Sequence, residues 1–232
     1  GLSGKVLNHI KRIASFKNPE FYAKQGMRLS TYNIPRIISC AHILEEYVAL
    51  PRGCEDVVVE LLMNNHVRHC MKDETNPGKC ISVKFKGELR EEQDAAIASL
   101  MAHNTGVLNG TTAFGKTVTA IGLIAKRKVN TLILVHTKAL LEQWKSRLEE
   151  FLDIDYVEEH TSHKRGRKIA FSPFGTLDSN GNRLHGMADI ALIQSCFDDK
   201  EVKPFVRDYG MVIVDECHHV SAVNFEHVLK RC

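Results

Sequence analysis

One eight-residue segment constrains the fold of this chain more than any other feature. It reads Gly110-Thr111-Thr112-Ala113-Phe114-Gly115-Lys116-Thr117 and matches the pattern G-x-x-x-x-G-K-[ST] at every fixed position. Glycines allow the backbone to curl until successive N–H groups point into one concavity, which suits phosphate oxygens. The positive end of a following helix adds to this site, Lys116 can reach phosphates, and the Thr117 hydroxyl can coordinate Mg²⁺. The segment therefore predicts a phosphate-binding loop between a strand and a helix.

Strand-like and helix-like patterns alternate on both sides of this loop. A short apolar run at Gly106–Leu108 precedes it, and a helix is predicted at Lys116–Ala125, where apolar residues share one face. Further strands are predicted at Thr131–Val135, Asp189–Ile193 and Met211–Val214, and further helices at Arg90–Ala102, Leu141–Phe151, Glu201–Asp208 and Val223–Arg231. This alternation predicts an α/β fold in which helices cover both faces of a parallel sheet.

The first 82 residues depart from this alternation and predict a small α+β domain ahead of an α/β domain at residues 83–232. Helices are predicted at Lys5–Ser15, Pro19–Leu29 and Pro51–Met63, and strands at Arg36–Cys40, Tyr47–Leu50 and Ile81–Phe85. In the second domain, Asn180-Gly181 is a turn signal that predicts a hairpin inserted at the surface. Within Lys5–Arg36, basic and aromatic residues are interleaved, which suits either phosphate contact or two amphipathic helices.

Composition excludes several classes of protein. Of the 232 residues, 44% are hydrophobic and 25% are charged, which is the balance of a chain that buries a core and not that of a disordered or collagen-like one. No apolar run approaches the roughly 18–20 residues that cross a bilayer, and no signal-peptide pattern is present. Seven cysteines without a secretion signal favour reduced thiols. We therefore expect a cytoplasmic protein with no membrane partner.

A second motif lies downstream of the loop, where the apolar strand Met211–Val214 ends in Asp215 and Glu216. In a parallel sheet, the carboxyl end of such a strand lies at the same edge as the phosphate loop. Asp215 can then hold Mg²⁺ through water, and Glu216 can orient a water molecule for attack on phosphate. The two motifs together predict a site for a nucleoside triphosphate and Mg²⁺.

These motifs resemble those of superfamily-2 helicases and translocases, the DEAD/DEAH-box class. Asp215-Glu216-Cys217-His218 is similar to their DExH box, and Thr112–Thr117 is similar to their motif I. Three more segments follow the order of the family. Leu89–Gln93 resembles its adenine-reading element, Leu134–Trp144 resembles motif Ia, and Ile190–Ser195 resembles the next strand-end element.

The resemblance implies a RecA-like P-loop NTPase domain that uses ATP and Mg²⁺ and moves on nucleic acid. The catalytic residues that it assigns are Lys116, Asp215, Glu216 and His218, with Thr117 and Asp215 at the metal. The nucleotide contacts that it assigns are Arg90, Gln93, Gly110, Thr111, Thr112, Ala113, Phe114, Gly115, Lys116 and Thr117. The nucleic-acid contacts that it assigns are His136, Thr137, Lys138, Gln194 and Ser195. The amide of Gln93 suits adenine because it both donates and accepts hydrogen bonds.

The Gln143-Trp144 pair and the DExH form are most like the double-stranded-DNA translocase branch, which includes the TFIIH translocase subunit and restriction-enzyme R subunits. Double-stranded DNA is therefore the expected partner, and Trp144 itself is interpreted as a packing residue of its helix. The sequence ends at Cys232, before the second RecA-like domain with which the family would continue. Because an arginine finger from that domain can contribute about 10³–10⁵ in rate, we expect these residues alone to hydrolyse ATP slowly. A turnover of about 1 s⁻¹ would contradict this expectation.

Other interpretations stay open at this point. The phosphate loop also fits an unrelated P-loop ATPase, such as a signalling or transport protein. The chain also fits a non-enzymatic DNA-binding module with a vestigial nucleotide site. His66, His69, Cys70 and Cys80 raise the question of zinc, although their spacing matches no common structural site. Basic residues between positions 164 and 168 suit contact with a DNA backbone.

Overall fold

A computed structural model describes residues 2–70, 72–111, 113–155, 172–199, 201–217 and 223–232 of the chain. The chain forms two compact units, Gly1–Asp73 and Glu74–Cys232. Within the described ranges, no helix is both long enough and apolar enough to cross a membrane.

The division between the units lies after Asp73, whereas the sequence placed it between residues 82 and 83. Backbone hydrogen bonds tie the intervening segment to the second unit. The Ile81 N–H donates to the Lys128 carbonyl at 3.0 Å, and strand β5 (Val83–Phe85) pairs antiparallel with β7 (Leu152–Ile154). The strand that the sequence assigned to the first domain therefore belongs to the α/β unit.

The first unit combines short helices with two antiparallel strand pairs. Its helices are α1 (Gly4–Ile13), α2 (Pro19–Gly26) and α3 (Glu55–Asn64), and its strands are β1 (Ser15–Lys17), β2 (Ile37–Ser39), β3 (His42–Ile43) and β4 (Val48–Ala49). β1 pairs with β2, and β3 pairs with β4. The side chains of Ser3 and Asn18 cap α1 and α2 by accepting backbone N–H groups of the first turn, which is why the helices begin where they do.

Two aromatic rings of the basic segment Lys5–Arg36 lie beside basic side chains of the same unit. Lys17 Nζ lies 5.8 Å from the centre of the Tyr22 ring, and Arg36 Cζ lies 5.6 Å from the centre of the Phe21 ring. Such cation–π contacts hold the two kinds of side chain together without any ligand. Contacts within the unit are therefore enough to account for the presence of these two aromatic residues among basic ones.

The second unit is built on a sheet with the strand order β13-β6-β10-β8-β9. Its strands are β5, β7, β6 (Thr131–Val135), β8 (Thr176–Asp178), β9 (Gly181–Arg183), β10 (Ala188–Leu192), β11 (Phe197–Asp198), β12 (Glu201–Val202) and β13 (Met211–Val214), and its helices are α4 (Glu91–Met101), α5 (Lys116–Arg127), α6 (Lys138–Phe151) and α7 (Val223–Leu229). β13, β6, β10 and β8 pair parallel, and β9 forms an antiparallel hairpin with β8. The predicted α/β architecture, a mostly parallel sheet flanked by helices, is confirmed.

Strand β6 lies between β13 and β10 and has no exposed residue. Ile133 and Val135 pack in the apolar layer that contains α5 and α6. Leu132 and Leu134 pack in the opposite layer, which contains α7. Because successive side chains of a strand point to opposite faces, a strand buried along its whole length has helices on both sides.

Three predicted elements differ from the structure. Gly106–Leu108, predicted as a strand, lies outside the sheet, and Val107 is 75% exposed. Residues 201–208, predicted as one helix, divide at Pro204 into strand β12 and a 3₁₀ turn, since proline has no N–H to continue a helical hydrogen bond. The predicted hairpin forms at residues 176–183, but β8 joins it to the main sheet, so it extends the sheet instead of standing apart as an insertion.

A buried polar network lies near the amino end of β10. Asp189, which has no exposed surface, accepts backbone N–H bonds from Gly175, His185 and Gly186 at 2.6–2.9 Å and the Tyr209 hydroxyl at 2.6 Å. Burial raises the pKa of the Tyr209 phenol above its ordinary value, and the Asp189 carboxylate raises it further. One carboxylate thus holds the segments that lead into β8, β10 and β13.

Candidate nucleotide site and nucleic-acid face

Gly115 is the residue at which the phosphate loop becomes helix α5. Its φ of 80° and ψ of 43° lie in the left-handed region, which favours glycine. A Cβ at this position would lie 2.7 Å from Gln93 Nε2 and 3.4 Å from Arg90 Nη2. Backbone conformation and space therefore both require glycine at this fixed position of the motif.

Lys116 begins α5, and its side chain folds over the loop. Its Nζ donates to the carbonyl oxygens of Gly110 at 3.0 Å and Thr111 at 3.5 Å, and the residue is exposed. Thr117 follows in the first helical turn and is half-buried. The ammonium group therefore lies at the loop, where it can exchange these neutral carbonyls for phosphate oxygens, which form stronger, charge-assisted bonds.

Arg90 and Gln93 hold the phosphate loop from the start of α4. Gln93 is 4% exposed, its Oε1 accepts the Arg90 N–H at 3.0 Å, and its Nε2 donates to the Phe114 carbonyl at 2.9 Å. The Arg90 guanidinium donates to the carbonyls of Ala113, at 3.2 Å, and Phe114. Besides the nucleotide contact that the resemblance implies, these side chains therefore anchor the loop to the amino end of α4.

Asp215 and Glu216 follow β13 at its carboxyl end. The Asp215 N–H donates to the Leu134 carbonyl at 3.1 Å, and the Asp215 Oδ1 accepts the Glu216 N–H at 2.9 Å. Glu216 is exposed and has φ of 52°, which is uncommon outside glycine. Backbone conformations of this kind concentrate at functional sites. The backbone thus leaves the sheet at Glu216, immediately after the first carboxylate.

The topology brings the phosphate loop and the acid pair to the same edge of the sheet. Helix α5 ends at Arg127, and a short connection leads to Thr131 at the amino end of β6. Because α5 packs along the sheet in the same layer as Ile133, its first turn lies toward the opposite, carboxyl edge. β13 runs parallel to β6, so Asp215 also lies at the carboxyl edge. Lys116 and Asp215 therefore share one edge.

Trp144, which the sequence assigned to packing, also contacts the acid pair. The residue is 2% exposed in the apolar layer of α6, and its Nε1 donates to Asp215 Oδ2 at 2.7 Å. The contact joins residues 71 positions apart in the chain, so no local pattern predicts it. The one available signal is chemical, since a buried tryptophan N–H usually has a hydrogen-bond partner.

The residues assigned to nucleic acid lie at the carboxyl ends of β6 and β10. Gln194 Nε2 donates to the His136 carbonyl at 3.3 Å, so these two residues meet. Thr137 caps α6, because its hydroxyl accepts the Leu140 N–H at 3.2 Å. The Ser195 carbonyl accepts from Lys203 Nζ at 3.0 Å. The structure therefore places these residues on the edge that also carries Asp215.

Lys138, the last of these assigned residues, lies beside the hairpin. Its Nζ is 3.8 Å from Asp178 Oδ2, and its side chain is 55% exposed. The Asp178 side chain is 12% exposed, so the pair is only partly open to solvent, but the lysine end is exposed and can approach a phosphate. Thr112, His218 and the basic positions 164–168 lie outside the described residues.

The donor groups at this edge suit Mg²⁺ bound together with phosphates. Each oxygen of Asp215 accepts one N–H bond, which leaves lone pairs on both oxygens, and Thr117 adds a hydroxyl. Mg²⁺ keeps several waters and takes one or two carboxylates plus substrate phosphates, so this small donor set fits it.

The question of zinc concerns a different kind of site, which needs several protein ligands. Among the described residues, which include the histidines and cysteines that raised this question, no group of three or more His, Cys, Asp or Glu could hold a metal ion.

Comparison with known proteins identifies the family. Residues 86–232 match the family described as "Type III restriction enzyme, res subunit". The chain belongs to this family. Membership confirms the resemblance to superfamily-2 helicases and translocases, and it removes the interpretation as an unrelated signalling or transport ATPase. The α/β unit is a first RecA-like domain of that type.

Relatives of this chain include viral and archaeal proteins. "Putative helicase 161L" of Invertebrate iridescent virus 6 is 32% identical over 151 residues, which cover 63% of this chain and 31% of that protein. "DNA 3'-5' translocase XPB2" of Sulfurisphaera tokodaii is 38% identical over 73 residues, which cover 32% of this chain and 17% of that protein. The chain thus spans about a third, or less, of the length of these relatives.

A solved structure shares the fold. The UvsW helicase of bacteriophage T4 superposes with a TM-score of 0.64 at 15% identity, and the match covers 100% of this chain and 83% of that one. At this identity the similarity concerns the fold alone.

Proposed function

We propose that this chain provides the first motor domain of an ATP-dependent helicase or translocase that acts on double-stranded DNA. The observation that carries the proposal is the shared carboxyl edge, where the phosphate loop of α5, the acid pair after β13 and the exposed turns after β6 and β10 lie together. In open α/β sheets, ligands bind outside the carboxyl ends of the strands. Nucleotide and nucleic acid would therefore meet at one edge.

The phosphate loop and the start of α4 would bind ATP. Backbone N–H groups of Gly110–Lys116 would receive the phosphates, and Lys116 would replace its two carbonyl contacts with phosphate oxygens. Gln93 already uses one N–H and one carbonyl lone pair. Its amide still has a second N–H and a second lone pair, which is the pairing that an adenine edge requires.

The acid pair would serve the hydrolysis step. Thr117 and Asp215 would hold Mg²⁺, which supplies charge neutralisation on the transferred phosphoryl group when it is bound. Glu216, exposed beside Asp215, would orient the attacking water and accept its proton at the carboxylate. We place the second RecA-like domain and its arginine fingers in a longer protein that contains this chain, in keeping with the greater length of its relatives.

Nucleotide binding tests this proposal directly. A charge-assisted hydrogen bond contributes about 1.5–3 kcal/mol, so Lys116→Ala should weaken Mg-ATP binding by about 10- to 100-fold, measured by calorimetry. Lys126→Ala is the matched control, because Lys126 lies on the same helix and pairs with the exposed Asp94 at 3.8 Å. Equal affinities for the Lys116 variant and the wild type would contradict a working phosphate loop and favour the vestigial-site interpretation.

The nucleic-acid face predicts a specific dependence on salt. Lys138→Glu should weaken binding to duplex DNA, and it should lower the slope of log K against log salt by about 0.9 for the lost phosphate contact. Lys84→Glu makes the same change of charge on β5, on an exposed residue away from this edge. If the two variants gave the same slope as the wild type, Lys138 would lie outside the footprint.

A further inference from the structure

We infer that Trp144 is a positioning residue for Asp215, and that its indole N–H fixes the orientation of the carboxylate toward Mg²⁺. This inference rests on the proposed function, because it concerns the same metal site. The sequence favoured helix packing over base stacking for Trp144, and the spacing of its helix does not indicate a contact with Asp215.

The hydrogen bonds of Asp215 show how the orientation is fixed. Trp144 Nε1 donates to Oδ2 at 2.7 Å, and the Glu216 N–H donates to Oδ1 at 2.9 Å. With one donor on each oxygen, rotation of the carboxylate about its Cβ–Cγ bond would break both bonds. The lone pairs that remain are therefore presented in one direction before any metal arrives, which lowers the cost of ordering them on binding.

The indole is a rigid donor because the core holds it. Trp144 is 2% exposed and packs in the same apolar layer as Leu141 and Leu148 of α6. The backbone N–H of Glu216, by contrast, belongs to the exposed turn that it orients. The Asp215 backbone is held to β6 through the Leu134 carbonyl, and the indole is the donor that ties the Asp215 carboxylate to the core. A phenylalanine would supply similar packing without this bond.

Trp144 is the only tryptophan of the chain, so its indole N–H gives a single NMR signal. In the ¹⁵N-labelled chain, this signal should exchange slowly with solvent and should shift on Asp215→Asn without any ligand. It should shift again when Mg²⁺ and a non-hydrolysable ATP analogue are added. A surface control, Glu150→Gln, should leave it in place. An indole N–H chemical shift that is the same in Asp215→Asn as in the wild type would overturn the inference.

The second experiment asks whether the bond matters to the metal. Removing a group that orients a metal ligand typically costs 10- to 100-fold in metal affinity, so in Trp144→Phe the Mg²⁺ concentration for half-maximal binding of the analogue should rise by about that factor. Binding without Mg²⁺ should stay unchanged. Replacing Trp144 by benzothienylalanine, which keeps the ring shape and lacks the N–H, should reproduce the phenylalanine result. Phe151→Leu, on the same helix, should not.

The outcomes separate this inference from the proposed function. If the wild type binds the analogue with Mg²⁺ and Trp144→Phe shows the same Mg²⁺ dependence, the positioning role is wrong and the proposed function stands. If the wild type binds no nucleotide with or without Mg²⁺, the proposed function is contradicted, and the inference fails with it. The NMR comparison of wild type with Asp215→Asn decides the hydrogen bond even if the Trp144 variants fold poorly.

Discussion

Replacing Glu216 with glutamine is expected to lower ATP hydrolysis by about 10²–10⁴-fold, the usual contribution of a positioned general base. The amide keeps the size of the side chain but cannot accept the proton of the attacking water. Since Glu216 is exposed and makes no part of the phosphate loop, affinity for Mg-ATP should change little. Steady-state hydrolysis, with and without duplex DNA, by the longer protein proposed above is the measurement.

A surface carboxylate provides the control for this variant. Glu150 pairs with Arg147 at 2.7 Å on the exposed side of α6, and Glu150→Gln should leave hydrolysis unchanged. If Glu216→Gln hydrolysed ATP at the wild-type rate with DNA present, the role of the acid pair would be wrong. Loss of binding together with hydrolysis would instead place Glu216 among the nucleotide contacts.

The second large effect concerns stability. Asp189→Ala removes the acceptor of four donors, three backbone N–H groups and the Tyr209 hydroxyl, of which the Gly175 N–H and the Tyr209 hydroxyl are buried. Because each buried donor left without a partner costs about 1–3 kcal/mol, the free energy of unfolding of the α/β unit should fall by at least about 2 kcal/mol. Urea unfolding followed by Trp144 fluorescence reports on this unit alone, since no other tryptophan is present.

Two further variants test whether the loss of stability comes from the hydrogen bonds of Asp189 or would follow any substitution of an aspartate. Asp189→Asn keeps one acceptor oxygen and should show an intermediate loss. Asp153→Ala, on the exposed side of β7, should change the free energy of unfolding by no more than about 0.5 kcal/mol. A loss below about 1 kcal/mol for Asp189→Ala, at an unchanged slope in urea, would mean that water replaces the carboxylate.

The elements with strong local signals were predictable from the sequence. Strands β6 and β13 begin and end at the predicted residues, because each is a run of strand-forming residues that pairs with its neighbour along its whole length. Gly115 takes the left-handed conformation that the phosphate-loop motif requires. The shared edge of the two motifs follows from the parallel strands, which the alternating pattern already indicated.

The contacts that finish the site were not predictable in this way. The Trp144 bond to Asp215 and the Gln93 bond to the Phe114 carbonyl join segments that approach only in the folded domain. The prediction for one short segment was also wrong, because Gly106–Leu108 has too few residues for an apolar run to distinguish a strand from a loop. Periodicity therefore locates the sheet and its edge, while hydrogen bonds between distant residues decide how each side chain is held.

We propose that the phosphate loop and the acid pair bind one Mg-nucleotide between them. A crystal structure of the chain with Mg²⁺ and a non-hydrolysable ATP analogue would show whether they do. We expect a single Mg²⁺ ion bound by the Thr117 hydroxyl and by Asp215 through water, with Lys116 on the terminal phosphates. A nucleotide held by the loop with its metal ion out of reach of Asp215 and Glu216 would contradict it.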